Sequence, residues 1–298
     1  MVCTYIDNLL VVQLGTWQSA GINSAISQNV KVIMSEFNSV ACGGIPGISN
    51  TFATGSMWTV DYALQLASVG YTAAHIHTRE PGISYNLITS SDQPATSSSN
   101  WTTNPPFYGV LVTAEALRSN NGAIVVDLKL GSTSNAPYGG YAVYDAGDKT
   151  VQQLVFFNYA NVSVSDVQKI AFGVPQSVFP SSTRNNLVVK YLGAESMSET
   201  TNIAWGGMTF ADVTDGNLVK STAAWAPGSV HVDCSKGCDV TVPGPGLAVV
   251  FAGGQPNSFT NTSNSTSTST SAVKKASDSR RTASVIVLAI FAIWTYIL

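Results

Sequence analysis

Val30-Lys31-Val32-Ile33-Met34-Ser35-Glu36-Phe37-Asn38-Ser39 is a short apolar stretch that ends in an acid. A glycine-rich loop follows at once, Cys42-Gly43-Gly44-Ile45-Pro46-Gly47, then a helix-like run, then a second apolar stretch, Ala73-Ala74-His75-Ile76-His77. The order is strand, carboxylate, loop, helix, strand. In a (β/α)₈ barrel, catalytic groups sit at the C-terminal ends of strands and on the loops that follow them. Glu36 holds such a position, which makes it the first candidate for chemistry. The alternative is an ordinary surface glutamate at a strand end.

Outward from this stretch the grammar changes once. Val30–Met34 reads as a buried strand, Gly43 to Gly55 as loop, Ser56 to Val69 as a helix stopped by Gly70, and Ala73–His77 as the next strand. Phe107 to Leu117, after Pro105-Pro106, reads as another helix, which completes a β–α–β–α series and implies parallel strands. Upstream, Ile6 to Leu14 is either strand or buried helix, and Gly15 to Asn29 is polar helix or loop. Beyond Gly122 the runs are short and strand-like: Ala123–Leu130, Tyr141–Tyr144, Val151–Asn158, Val162–Val167, Leu187–Leu192, Met208–Phe210, Ser229–Asp233 and Leu247–Phe251. Turn residues separate them, with Asp145 to Asp148 and Asp215 to Asn217 as good hairpin turns, so an antiparallel β-sandwich is expected. The fold class is α+β in two parts: the last strands and helices of a (β/α)₈ barrel, then an antiparallel β-sandwich. We divide the chain into an uncertain segment 1–29, the C-terminal part of a barrel over 30–120, a β-sandwich domain over 121–254, a Ser/Thr-rich stalk over 255–282 and a hydrophobic tail over 283–298.

The composition suits a secreted protein. Charged residues make up 10% of the 298, where soluble domains average about 25%. Net charge is −3, and the globular region has no basic stripe, so a nucleic-acid partner is not expected. Asn100, Asn161, Asn261 and Asn264 each begin an N-glycosylation sequon. Cys234 and Cys238 suit either a small disulfide loop between strands or half of a metal site. No second cysteine pair or His-x-x-x-His run completes a zinc site, which favours the disulfide and no metal. Cys3 and Cys42 are left open as a pair or as free thiols.

Asn257 to Ser271 is almost entirely Ser, Thr and Asn, with no apolar face to bury. The chain then ends in a hydrophobic run from Ala283 to Leu298, short of the roughly 20 residues a spanning helix needs. Small residues, a polar spacer and a short apolar tail are the layout of a GPI-attachment signal, with Ser269, Ser271 or Ala272 as attachment points. A single-span tail anchor is the alternative. Either places the protein at the cell surface, anchored to the membrane by its C-terminal tail. The first residues make a poor signal peptide, since Asp7 and Asn8 interrupt the apolar run and no basic residues precede it. We therefore expect the sequence to be the C-terminal part of a longer protein.

Met34-Ser35-Glu36-Phe37-Asn38-Ser39, the loop Cys42–Ser49, Trp58-Thr59-Val60-Asp61-Tyr62-Ala63-Leu64 and Pro106-Phe107-Tyr108-Gly109 resemble glycoside hydrolase family 79, the β-glucuronidase and heparanase-like group, and its fungal members in particular. The likeness runs from about 30 to 254. It implies a retaining glycosidase, in which one carboxylate attacks the anomeric carbon and a second protonates the leaving group. It implies Glu36 as nucleophile, Tyr108 and Gly109 at the carboxylate of the sugar, a glucuronide-containing glycan or glycoside as substrate, and no cofactor. Asn38 is a donor candidate near the nucleophile. His75 and His77 alternate on one strand and so point the same way, with His77 the candidate to face substrate. Arg79-Glu80 is either an anion contact or a simple ion pair, and we favour the pair. The assignment requires Glu36 and Tyr108 to face one cavity, with the carboxylate turned into it.

One departure matters. The family's acid/base glutamate lies on an earlier barrel strand, whereas Asp7 is the single acid upstream of Glu36. We therefore expect a β-glucuronidase-type chain that lacks its acid/base Glu and is inactive alone. The alternatives are a surface-anchored, non-catalytic carbohydrate-binding β domain and a structural surface protein with a glycosylated stalk.

Overall fold

A computed structural model describes residues 8–89, 101–130, 136–160, 168–213 and 216–253. The four sequons' asparagines, the stalk and the hydrophobic tail lie outside the described residues, as does the expected strand Val162–Val167. No helix among the described residues is long and apolar enough to cross a membrane.

Two short helices, α1 (Asn8–Thr16) and α2 (Ser19–Ser27), open the described chain, so the stretch read as strand or helix is helical. Strand β1 (Val32–Phe37) follows, then a π-helix (Phe52–Trp58) running directly into α3 (Thr59–Ser68), then β2 (Tyr71–Ile76). β1 and β2 pair in parallel as a two-stranded sheet with the helices as crossover. The expected strand is less buried than its composition suggests: Ile33 in β1 is 51% exposed, and Val30, which lies before β1, is 55% exposed. Only one face of it packs, through Val32, Met34 and Phe37, because β2 is its one hydrogen-bonded neighbour among the described residues.

The helix also begins earlier than the glycines suggest. Thr51 caps it by accepting from the Thr54 N–H, and the N–H groups of Phe52 and Ala53 donate to the carbonyls of Glu199 and Met197 at 2.6 and 3.0 Å. Gly55, read as loop, sits inside it because a Cβ there would stand 2.9 Å from Pro105 and Pro106. Those prolines begin α4 (Pro105–Ala116), where missing N–H groups cost nothing because a first helical turn leaves them unpaired. A short antiparallel pair, β3 (Ile88–Thr89) and β4 (Thr102–Thr103), precedes that helix.

The rest is mostly antiparallel sheet. Strands β5 (Ala123–Asp127), β6 (Tyr138–Asp145) and β7 (Val151–Asn158) form a meander; β8 (Lys169–Val174) leaves it, and β9 (Leu187–Ala194) returns to it. Then come β10 (Ile203–Trp205), β11 (Met208–Thr209), β12 (Val219–Lys220), β13 (Val230–Val232), β14 (Cys238–Pro243) and β15 (Gly246–Phe251). The nine-stranded sheet runs β12-β11-β10-β9-β15-β7-β6-β5, with β13 also on β9. The expected sandwich is lopsided. One face of the large sheet packs on the two-stranded β8–β14 sheet through Phe156, Phe172, Val189, Val240 and Val250. Its other face packs on the π-helix, α3 and α4, where Phe52, Leu64, Val112, Tyr141, Phe157, Leu192, Trp205 and Leu247 form one continuous core. Strand β15 is buried at every position because both faces are covered.

Candidate active site

Chain direction and one irregularity set Glu36. Met34 pairs with Ala74 and Phe37 with Ile76, so three steps on β1 match two on β2. Such a bulge re-aims a side chain. Phe37 turns into the helices, its ring 5.6 Å from Tyr62 and 6.3 Å from Trp58, which stack on each other. Glu36 turns the other way, into a cavity of about 500 Å³ lined by Phe37, Asn38, Cys42, His77, Arg79 and Tyr85 among others. That volume is of the size small-molecule pockets usually have.

The two strand ends are stapled together. The His77 N–H donates to the Phe37 carbonyl at 2.8 Å, and Asn38 Nδ2 donates to the His77 carbonyl at 2.7 Å. Asn38 Oδ1 accepts from the Ser39 N–H at 2.7 Å. Asn38 thus spends both ends of its amide on the protein and acts here as a brace beside Glu36. The His77 ring follows, with Nδ1 3.7 Å from the Glu36 carboxylate and 2.9 Å from the Tyr85 hydroxyl. His75 does not line the cavity.

Tyr85 is 1% exposed, and Gly43 helps hold its hydroxyl through the backbone. The glycine loop is pinned to the Tyr85 segment: the Ser84 hydroxyl donates to the Gly43 carbonyl at 3.0 Å. Gly44 packs against it with φ +78°, and a Cβ there would meet the hydroxyls of Ser84 and Ser49 at 2.6 and 2.7 Å. The loop's glycines therefore let two segments touch and so place Tyr85. Burial raises the Tyr85 phenol, the Gly43 backbone bond and the Arg79 charge lower it, and Glu36 and Glu80 add to the rise. All of these groups act on one patch.

Tyr108 and Gly109 lie elsewhere, in the interior, so the expectation that Glu36 and Tyr108 face one cavity is not met. The Tyr108 hydroxyl is 3.2 Å from Thr209 Oγ1 and accepts from the Phe210 N–H at 2.6 Å, which fastens α4 to the large sheet. A Cβ on Gly109 would stand 2.8 Å from Thr59 Cβ and 2.9 Å from the Ser56 carbonyl, so this glycine lets α4 cross the π-helix closely. The cavity's phenol is Tyr85 instead. The sequence reading missed it, although an aromatic residue just past Pro81-Gly82, after a strand that ends at a candidate site, is a usable signal. The Glu36 side chain is 66% exposed, and no second carboxylate lines the cavity among the described residues.

Residues 140–249, from β6 into β15, match the glycosyl hydrolase family 79 C-terminal beta domain. The match covers 110 of the 298 residues, and the likeness to family 79 belongs to that part of the chain. A β-glucuronidase of Aspergillus niger is 30% identical to it over 193 residues, which is 62% of this chain and 34% of that protein. A β-glucuronidase of Neurospora crassa is 30% identical over 215 residues, 62% of this chain and 37% of that one. The chain therefore spans about a third of the length of the curated relatives it matches. Among solved structures, a 4-O-α-L-rhamnosyl-β-D-glucuronidase from Fusarium oxysporum superposes with a TM-score of 0.67 at 17% identity, over 84% of this chain and 50% of that one. A family 51 arabinofuranosidase from Xanthomonas axonopodis gives 0.53 at 13% identity, over 82% of this chain and 46% of that one. The shared fold thus reaches beyond the family 79 domain into the helical half that holds Glu36. Within the domain, Cys234 and Cys238 are joined by a disulfide that closes the turn before β14. Cys42 is a free thiol on the cavity wall.

Proposed function

We propose that this chain is the C-terminal portion of a retaining β-glucuronidase-type glycoside hydrolase, with Glu36 as its nucleophile. One observation carries the reading: Glu36 ends a parallel strand on a sugar-sized cavity, and the chain runs on from there into a family 79 C-terminal domain. The similar Aspergillus niger and Neurospora crassa proteins are β-glucuronidases, which supports a glucuronide as substrate. In this mechanism the Glu36 carboxylate attacks the anomeric carbon while the leaving oxygen takes a proton from a second carboxyl about 5–5.5 Å away. The His77–Tyr85 pair holds the edge of the site.

A nucleophile 66% open to water is not yet enclosed, and the second carboxyl is not among the lining residues described. The exposure of Glu36 counts against a nucleophile already enclosed by these residues, and the reading therefore requires an acid/base carboxyl from a segment outside them. The stalk and hydrophobic tail read from the sequence would hold the folded part at a cell surface.

Losing a proton donor typically removes about 10²–10⁴ in rate, but an activated leaving group departs without one. A 2-deoxy-2-fluoro-β-D-glucuronide with a dinitrophenyl leaving group should therefore esterify Glu36 in this chain, as read by peptide mass spectrometry. Glu36→Gln should abolish the label. No label, or a label on another residue, would count against the nucleophile. Full turnover of a poorly activated aryl glucuronide would count against the missing donor. Glucuronate binding without any label would favour a non-catalytic carbohydrate-binding protein.

A further inference from the structure

The cavity carries few charges. Among its described lining residues Glu36 is the one acid and Arg79 the one permanent cation. Arg79 comes three residues after β2, and its backbone is clamped. Its N–H donates to Asn86 Oδ1 at 2.9 Å, and Asn86 Nδ2 donates back to the carbonyls of Arg79 and Glu80 at 3.2 and 3.0 Å. Asn86 is itself buried, so the turn is held from within. Among the described residues the guanidinium has one ion-pair partner, the carboxylate of the next residue, Glu80, at 2.9 Å.

That pair is weakly held. Its side chains are 39% and 59% exposed, and exposed ion pairs contribute little to stability. A guanidinium is best satisfied by a planar carboxylate that it grips through two N–H groups. An acidic sugar entering this cavity also meets the like charge of Glu36, so it needs a cation close by. A neutral sugar has no such need and nothing to offer the guanidinium.

We propose that Arg79 selects acidic sugars in this cavity and that Glu80 is its built-in competitor: the incoming carboxylate takes the place of Glu80 on the guanidinium. This rests on the glucuronide reading of the cavity. No covalent step is involved; one ion pair is exchanged for another, and a neutral sugar gains nothing from Arg79 because it brings no carboxylate to exchange for Glu80.

The experiment titrates the whole chain with methyl β-D-glucuronide and with methyl β-D-glucoside, by calorimetry and amide chemical shifts. The wild-type chain should bind the glucuronide more tightly. Arg79→Gln should weaken glucuronide binding about tenfold or more and leave the glucoside unchanged. Glu80→Gln should tighten glucuronide binding by roughly threefold, as removal of an exposed competitor implies. Both side chains are exposed, and circular dichroism confirms that the variants fold. Glucuronide binding that Arg79→Gln leaves unchanged overturns this inference alone. Weaker binding in Glu80→Gln also overturns it, since Glu80 would then be supporting the guanidinium. No glucuronide binding by the wild-type chain overturns this inference and the glucuronide reading together, and Glu36 labelling reports on the latter independently.

Discussion

Asp61 is a carboxyl held in the interior of the fold. It is completely buried in α3, yet it accepts from the Tyr141 and Tyr159 hydroxyls at 2.5 Å each and from Asn8 Nδ2 at 3.0 and 3.1 Å. Burial raises its carboxyl from 3.8 to about 6, against the pull of those three donors. A raised folded-state value means that the folded protein binds the proton more tightly than the unfolded chain does. The associated stability is full below about 4 and is lost as pH rises through about 6. A shift of that size corresponds to about 3 kcal/mol. Asp145 works in the opposite sense. The Ser119 hydroxyl, the Asn121 amide and the N–H groups of Gly147 and Asp148 hold its carboxyl well below the usual range, so its contribution is lost only as pH falls below the normal carboxylate value. Urea midpoints should therefore rise as pH is lowered from 7 to 5, and Asp61→Asn should flatten that rise. An unchanged slope in Asp61→Asn would show that another group titrates.

At the scale of elements, the crossing of α4 over the π-helix decides how near the helices lie to the sheet. A Cβ on Gly109 would stand 3.0 Å from the Gly55 carbonyl oxygen, and a Cβ on Gly55 would stand 2.9 Å from the Pro105 and Pro106 rings. Gly109→Ala should cost about 1–3 kcal/mol through overpacking and lower the melting temperature. Glucuronide binding should stay as it is, because the crossing does not line the cavity. An effect on binding without one on stability would return Gly109 to the site. Much of this level was legible: the loop after Glu36, α3, α4, β7 and the Asp145 hairpin all follow from periodicity and turn residues. Strands β8, β10, β12 and β14 were not, since β10 and β12 are three and two residues long and β14 is bounded by a cysteine and a proline. The π-helix start was hidden because Gly55 looks like punctuation until Pro105 and Pro106 are seen against it.

Over the whole molecule, the change from parallel to antiparallel grammar is not a break in packing. Leu64 and Val112 from the helices share one core with Val155, Leu192 and Leu247 from the sheet. The Lys190 ammonium bonds Glu115 at 2.6 Å and lies 4.7 Å over the Trp205 ring, while the indole N–H donates to Glu115 at 3.0 Å. Both charged side chains are largely buried, at 13% and 15% exposure. Glu115→Ala strands the Lys190 charge and should cost about 3–5 kcal/mol. Hydrogen exchange should show α3 and β15 losing protection together in that variant. Separate loss would mean that the helical half and the sheet unfold independently.

The sequence alone determined that Glu36 ends a strand, that a glycine loop follows, and that a β-rich half with a family 79 likeness comes after, because periodicity, turn residues and motif order are local properties. The tertiary structure alone decided which aromatic shares the cavity with Glu36. Tyr85 reaches it through the contact between the glycine loop and the Ser84 segment, while the Tyr108 hydroxyl is consumed by the sheet. Both tyrosines sit in turn-rich or helix-start sequence, and nothing local tells them apart. Only the packing of distant segments fixes where each hydroxyl finds its partner.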